Sequence, residues 1–348
     1  MNLIEGLSWR YQLKIRPRLL LHENPYSALL RRCGNFARMR AEHPTCYISA
    51  DASNIGDRVS ALGVKCLVAK PGVELFASRA GLPATVEALS WLQRNRPGTR
   101  IYIGGGGLLQ ECFVPFWSKL LETSLPFALF GVGANEIPGE RGLPPGELLR
   151  QIAQRSLAIH VRDLWTKGLL EFGQPREVTV GVCPAVNYLA SRQAGSADAE
   201  KKYLLHVQHP VDIRLAGGDP ERISRMARST AATLGLIYDE TDHIKESIDK
   251  LCSRYQRARY VISSRLHGCI FSYALNVPFL PIVTDTKTRA FLATHAPDHP
   301  YLSVGALETE VIEKLLSLES GKSCHAETMR HNTMANAAVM AEIKNIHG

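Results

Sequence analysis

The sequence predicts an α/β protein of two similar domains, each with a mostly parallel sheet, facing each other across a cleft. Three observations carry that prediction. Short apolar runs of strand length alternate with stretches of helical periodicity along most of the chain. Many of the runs end in small or turn-forming residues, the position at which ligands bind in parallel sheets. A small, polar stretch at 190–201 separates one such series from a second. At 348 residues the chain has room for two domains of ordinary size.

In order, residues 45–49 read as the first strand. They are followed by the polar loop 51–57, a short helix at 58–62 and a second strand at 63–69. A helix is expected at 83–95, from the spacing of Val86, Leu89 and Leu92, then a buried-type strand at 99–103 running straight into Gly104-Gly105-Gly106-Gly107. Strands follow at 126–133, 157–161 and 177–182, with helices near 147–155 and 164–172. The second series has strands at 203–207, 236–238, 259–264 and 278–283. Its helices are expected at 220–234 and 242–257, with Asp219 and Asp242 as N-caps, at 265–275 and after Asp285. Further helices are expected at 307–318 and 325–346. This gives a basic N-terminal extension (1–44), a first α/β domain (45–185), a second (186–325), and a C-terminal helix (326–348) that crosses back.

Composition narrows the function. A hydrophobic fraction of 45% and a charged fraction of 21% belong to a soluble globular chain. No apolar run approaches membrane-spanning length, and the N-terminus lacks the uninterrupted apolar core of a secretory signal, so a cytoplasmic protein is expected. The formal net charge of +8 admits nucleic acid, an anionic membrane or a small anionic substrate as partner. No nucleic-acid-binding module is recognisable. Residues 1–40 hold seven Arg and one Lys against two Glu, interspersed with Leu3, Ile4, Leu7, Trp9 and Tyr11. That segment suits peripheral contact with the inner face of a membrane, or plain packing on the body. The eight cysteines contain no Cys-x-x-Cys pair and read as free thiols in a reducing compartment, without a metal cluster.

The stretch with most chemistry is Arg259 to Gly268, a short strand that stops at Ser263-Ser264 and opens a helix with Arg265 and His267 in its first turn. Cations there oppose the helix dipole unless an anion sits between them. Arg265 suits a phosphate or carboxylate held bidentately, and His267 suits acid–base work. The glycine run 104–107 allows close approach of a ligand or of the other domain, but lacks both the dinucleotide and the P-loop patterns. Asn54 and Asp57 fit a turn and helix cap as well as a ligand contact. Arg162, at a strand end, fits solvation as well as a reach over the cleft, and Lys287 is a third candidate cation. His160, His206 and His209 read as packed or surface residues. His295 and His299, interrupted by Pro297, read as a surface loop rather than metal ligands.

Taken together, Asn54-Ile55-Gly56-Asp57, Gly104 to Leu108, Gly131-Val132-Gly133, Val161-Arg162-Asp163, Cys183-Pro184, Ser264 to Gly268, Asn276-Val277-Pro278 and Asp285-Thr286-Lys287 resemble the polysaccharide pyruvyl transferase family over roughly residues 45–292. The resemblance implies two Rossmann-like domains in a GT-B-like arrangement. It implies transfer of the enolpyruvyl carbons of phosphoenolpyruvate to a sugar as a pyruvate ketal, with release of phosphate. The acceptor would belong to a cell-surface or exopolysaccharide glycan, lipid-linked, polymeric or nucleotide-bound. In such enzymes Arg265, Leu266, His267 and Arg162 would grip phosphoenolpyruvate, a co-substrate, and no cofactor or metal would be needed. Two rivals share the pattern: a GT-B glycosyltransferase using a nucleotide sugar, and a non-catalytic glycan-assembly protein at the membrane surface.

Overall fold

A computed structural model describes residues 35, 37–40, 44–137, 139–140, 142–171, 177–192, 201–244 and 246–320. Most of the 1–44 extension, with nearly all of its expected membrane-facing segment, and the whole of the 326–348 helix lie outside the described residues. Among the described residues no helix is long and apolar enough to cross a membrane.

The first sheet contains β1 (Thr45–Ser49), β2 (Gly72–Phe76), β3 (Arg100–Ile103), β4 (Phe127–Val132), β5 (Ser156–Val161) and β6 (Thr179–Val180). Its order is β2-β1-β3-β4-β5-β6 and every pairing is parallel. Both faces are buried, as a parallel sheet with helices on each side requires. The period-two alternation of a strand assigns the residues. Cys46, Ile48, Ile101, Ile103, Phe127 and Leu129 enter one core, while Tyr47, Tyr102, Ala128 and Phe130 enter the other. The covering helices are α1 (Ile55–Val68), α2 (Leu82–Asn95), α3 (Val114–Leu121), α4 (Gly146–Arg155) and α5 (Leu164–Glu171).

Helix α6 (Pro184–Ala190) leads to the second sheet. That sheet contains β7 (Tyr203–Val207), β8 (Ile237–Thr241), β9 (Ala258–Ser263) and β10 (Phe279–Pro281), in the parallel order β10-β9-β7-β8. Helices α7 (Pro210–Leu215), α8 (Pro220–Thr233), α9 (Ile248–Arg257), α10 (Leu266–Ala274), α11 (Thr286–His295) and α12 (Glu308–Ser320) complete this half. Asp219 caps α8 as expected, accepting from Glu221 N at 2.9 Å.

Strand order locates the cleft. Chain direction across the first sheet reverses between β1 and β3, and across the second between β7 and β9. Loops leaving the carboxyl ends of such neighbours diverge and leave a crevice. The loop after β1 carries Asn54, and the one after β3 is the glycine run. The one after β9 carries Ser264 and Arg265.

The halves share a core. Ile55 and Val59 of α1 pack in one apolar cluster with Val186 and Leu189 of α6 and with Leu266, Ile270 and Phe291 of the second half. Fully burying Ile or Val contributes roughly 1.5–3 kcal/mol each. Four polar links register the halves further. Ile55 N donates to His243 O at 3.1 Å, and Leu164 N to Thr294 Oγ1 at 3.0 Å. Thr286 N donates to Glu136 O at 3.2 Å while Glu136 N donates to Thr286 Oγ1 at 2.7 Å. His295 Nε2 donates to Arg162 O at 2.7 Å.

Several local expectations are corrected. Residues 63–68 continue α1, so no strand lies at 63–69, and the second strand is 72–76. A Cβ on Gly63 would stand 2.0 Å from the Pro184 carbonyl oxygen, so a glycine inside this helix is what lets α6 approach. The helix expected from Asp242 begins at Ile248 under a Ser247 cap that accepts from Lys250 N. His243, with φ +60°, instead bends the preceding segment towards the other half. His295 and His299 are half-buried rather than on a surface loop, His295 ending α11 and His299 bonded to Phe279 O at 2.8 Å.

Candidate active site

The site is built upward from the start of α1. Asn54, in extended conformation, accepts from Gly56 N at 3.0 Å and is the N-cap, so Asp57 stands in the first turn and is not the cap itself. Helical spacing puts Gly56, Asp57 and Ser60 on adjoining positions of one face. That face meets α10. A Cβ on Gly56 would lie 2.1 Å from His267 Cγ, so the imidazole rests on bare backbone. Ser60 Oγ is 3.3 Å from His267 Nε2 and 3.1 Å from Cys183 Sγ, and Asp57 Oδ1 is 3.9 Å from His267 Nδ1. The pattern that gives every donor an acceptor runs Cys183 thiol to Ser60 hydroxyl to His267 Nε2, leaving Nδ1–H towards Asp57. Burial pushes the Cys183 thiol up, consistent with its donating.

Arg265 is the N-cap residue of α10, and the turn before it is held by Ser263 Oγ, which accepts from Arg265 N at 3.1 Å. Its Nη1 donates to Asp242 O at 2.5 Å. Arg265 and His267 are each 8% exposed, and Leu266 packs into the shared core. Arg162 is not solvated at the surface: it is 1% exposed. Among the described residues its Nε and Nη2 have no hydrogen-bond partner, although Nε lies 3.5 Å from Asp163 Oδ2. Asp163 caps α5 through Thr166 N at 2.7 Å. Beside Arg162, Asn135 Nδ2 is also buried without a partner among the described residues. A Cβ on Gly107 would sit 3.7 Å from Arg162 Nη2 and 3.8 Å from Asn135 Cβ, so these groups line one small space. Lys287 is paired with Asp285 at 2.7 Å and Asp212 at 3.3 Å.

The glycine run meets protein at each position. Gly104 is closed on by Phe130 O, Gly105 by Asp57 O, Gly106 by Asp57 Oδ1 and Gly107 by the Gln110 side chain. Gly105 and Gly106 have φ of +95° and +108°. The run therefore makes room for the first turn of α1, and for the Asp57 carboxyl in particular.

Electrostatics separates two titratable groups. Burial first, then Arg162, Arg265 and Lys287, holds the His267 imidazole well below its usual range, hence neutral. Burial first, then Asp51, pushes the Asp57 carboxyl up to about 7, against the opposing pull of Arg265, Arg162 and Lys287. A folded-state value above the unfolded one means the folded chain holds the proton more tightly. Stability from this group is thus full below the unfolded value, 3.8, and is lost as pH rises to about 7. Thermal melts of the wild type should lose on the order of 2–4 kcal/mol across that window relative to Asp57→Asn, for which this contribution is flat.

Sequence reasoning named Arg162, Arg265, Leu266, His267, Asn54, Asp57, the glycines and Lys287. The structure brings Asp57, Gly106 and His267 together, and it groups Arg162 with Gly107. Asn54 serves the helix start and Lys287 a carboxylate pair. Sequence reasoning missed Ser60, Asn135 and the Asp242 carbonyl. Ser60 was findable from helical spacing once 55–68 is read as one helix. Asn135 carried no signal beyond its place two residues after Gly133.

No curated protein sequence matches the chain. Among solved structures, a UDP-GlcNAc 2-epimerase from Neisseria meningitidis bound to UDP-GlcNAc is similar, with a TM-score of 0.55 and 10% identity over 87% of this chain and 100% of that one. A Methanocaldococcus jannaschii UDP-GlcNAc 2-epimerase gives 0.53 and 9% over 81% of this chain and 94% of that one. At such identities the likeness shows the fold, the GT-B-like pairing of two parallel-sheet domains. The family model described as polysaccharide pyruvyl transferase matches residues 54–286, about two thirds of the chain, from the cap of α1 to the start of α11. Those bounds enclose Asp57, Arg162, Arg265 and His267, and the chain belongs to the polysaccharide pyruvyl transferase family.

Proposed function

We propose that the protein transfers the enolpyruvyl carbons of phosphoenolpyruvate to two hydroxyls of a sugar in a cell-surface or exopolysaccharide glycan, forming a cyclic ketal and releasing phosphate. The observation that carries this reading is the surplus of buried donors. Among the described residues Arg162 Nε and Nη2 and Asn135 Nδ2 are buried and lack acceptors, each at a cost of about 1–3 kcal/mol. An anion with several oxygens would satisfy them. Phosphoenolpyruvate offers a carboxylate and a phosphate, so it suits cations on opposite walls, Arg162 from the first half and Arg265 from the second.

In this reading Arg162 and Asn135 hold one anionic group of the donor. Arg265, tethered to Asp242 O and making no other side-chain hydrogen bond among the described residues, holds the other. Leu266 and the apolar junction beneath it exclude water, which strengthens these contacts and keeps the activated carbon from hydrolysis. His267 braces the start of α1 against α10. The reaction as written needs no resident cofactor. A cytoplasmic site of action, with contact to the inner membrane face through residues 1–40, fits an acceptor carried on lipid.

The test is incubation with phosphoenolpyruvate and a panel of acceptor glycosides, following phosphate release and acceptor mass. Gain of a pyruvate ketal with equimolar phosphate is expected. Binding of a nucleoside diphosphate without phosphate release from phosphoenolpyruvate would replace the reading with a glycosyltransferase.

A further inference from the structure

We infer that Asp57, rather than His267, is the acid that protonates the donor's methylene carbon, with His267 acting as a positioning residue. The inference rests on the transfer reading above. Geometry is its first support. The Asp57 carboxyl stands in the first turn of α1, is 6% exposed, lies 3.9 Å from His267 Nδ1 and feels both Arg265 and Arg162. Gly106 takes a φ of +108°, and a Cβ there would lie 2.6 Å from Asp57 Oδ1, so the loop after β3 is shaped around this carboxyl. Among the described residues no hydrogen bond to the carboxyl is found, although a carboxylate meant to stay charged is normally given several donors.

The titratable and charged groups facing it are Asp51 from the loop after β1, Arg162 from the end of β5, the Cys183 thiol before α6, Arg265 and the neutral His267 at the start of α10, and Lys287 from α11. In the empty site the cations oppose protonation of Asp57 and burial favours it. A bound donor neutralises Arg162 and Arg265, removing most of the opposition, so binding itself loads Asp57 with its proton. His267 is poorly placed for the same task. Its Nε2 is bonded to Ser60, its ring face lies on Gly56, and it is held neutral. A neutral carboxylic acid in a buried site is a competent donor near neutral pH.

The step balances. The Asp57 O–H bond breaks, and the C2=C3 π pair takes the proton to make a methyl group. Positive charge develops at C2, and the first acceptor hydroxyl adds there, returning its proton to the Asp57 carboxylate. The second hydroxyl then forms its bond to C2 as the C2–O bond to phosphate breaks. Phosphate leaves with that electron pair and takes the hydroxyl's proton. Asp57 ends as it began.

The experiment compares wild type, Asp57→Asn and His267→Asn in the phosphate-release assay over pH 5–9, with infrared difference spectra of the donor-bound proteins. Expected for Asp57→Asn is a fall in kcat of about 10²–10⁴-fold with KM for phosphoenolpyruvate changed less than about threefold. The wild type's decline in kcat/KM above neutral pH, which reports the empty site, should be absent, as should the protonated-carboxyl band. His267→Asn should keep that decline. Should near-UV circular dichroism show Asp57→Asn misfolded, Asp57→Ser takes its place in every arm. Retention of kcat within tenfold, or of the alkaline decline, by the Asp57 variant would overturn the inference. Wild type that releases no phosphate with any acceptor would remove the transfer reading itself, and this step with it.

Discussion

Arg162→Lys is expected to raise the KM for phosphoenolpyruvate by at least about 100-fold while leaving the fold intact. Lysine keeps the positive charge but loses the planar fork. Arg162 is 1% exposed, and its Nε and Nη2 are two separate buried donors without a hydrogen-bond partner among the described residues. A charge-assisted hydrogen bond contributes about 1.5–3 kcal/mol, so losing two of them corresponds to roughly 10²–10⁴-fold. The backbone role of the residue survives, because the bond from His295 is made to the carbonyl of residue 162. Titration of phosphoenolpyruvate by calorimetry and thermal melts of both proteins separate the effects. An unchanged affinity with a lowered melting temperature would make Arg162 structural only.

Gly56→Ala should be as damaging without touching any charged group. The new methyl would stand 2.1 Å from His267 Cγ, 2.2 Å from Nδ1 and 2.5 Å from Cβ. Because Cβ of the histidine is itself among the clashing atoms, changing its rotamer cannot relieve the contact, and α1 must move away from α10 by about an ångström. A displacement of that size in a pre-aligned site costs on the order of 100-fold in kcat/KM. Alanine is the better helix former by about 1 kcal/mol, which opposes the loss of stability but cannot restore alignment. The double variant Gly56→Ala/His267→Gly removes the collision, Cβ included, so its melting temperature should exceed that of Gly56→Ala alone. Simple additivity of the two changes would show that the two residues do not meet.

Much of the fold was legible because parallel strands buried on both faces leave an apolar signature that survives in sequence, and because their loops are marked by Gly, Asn and Pro. The four glycines after β3 were visible as a place of close approach. What approaches them is the first turn of α1, a fact that depends on chain atoms about 50 residues earlier. Residues 63–68 misled because a glycine followed by Val64 and a Cys-Leu-Val run looks like a strand locally. The helix there is imposed by packing on α6, with Gly63 serving the contact. The loop before α9 misled in the opposite sense: Asp242 resembled a cap, but its carbonyl is spent on Arg265. Arg162, at a strand end, fitted solvation as well as a reach over the cleft, since sequence carries no mark of how deeply it is buried. Asn135, a single amide in an irregular loop, had no periodicity to expose it.

The links that register the two halves also make an internal gauge. The amide hydrogens of Ile55, Leu164 and Thr286 each find their acceptor on the opposite half. Opening either half on its own is not needed to free them; separating the halves suffices. Their rate of exchange with solvent deuterium is therefore set by the free energy of that separation, whereas amides in the centre of β4 or β9 report on unfolding of the sheet that contains them. Three backbone protons thus measure, without ligand or label, how much of the time the cleft stands assembled.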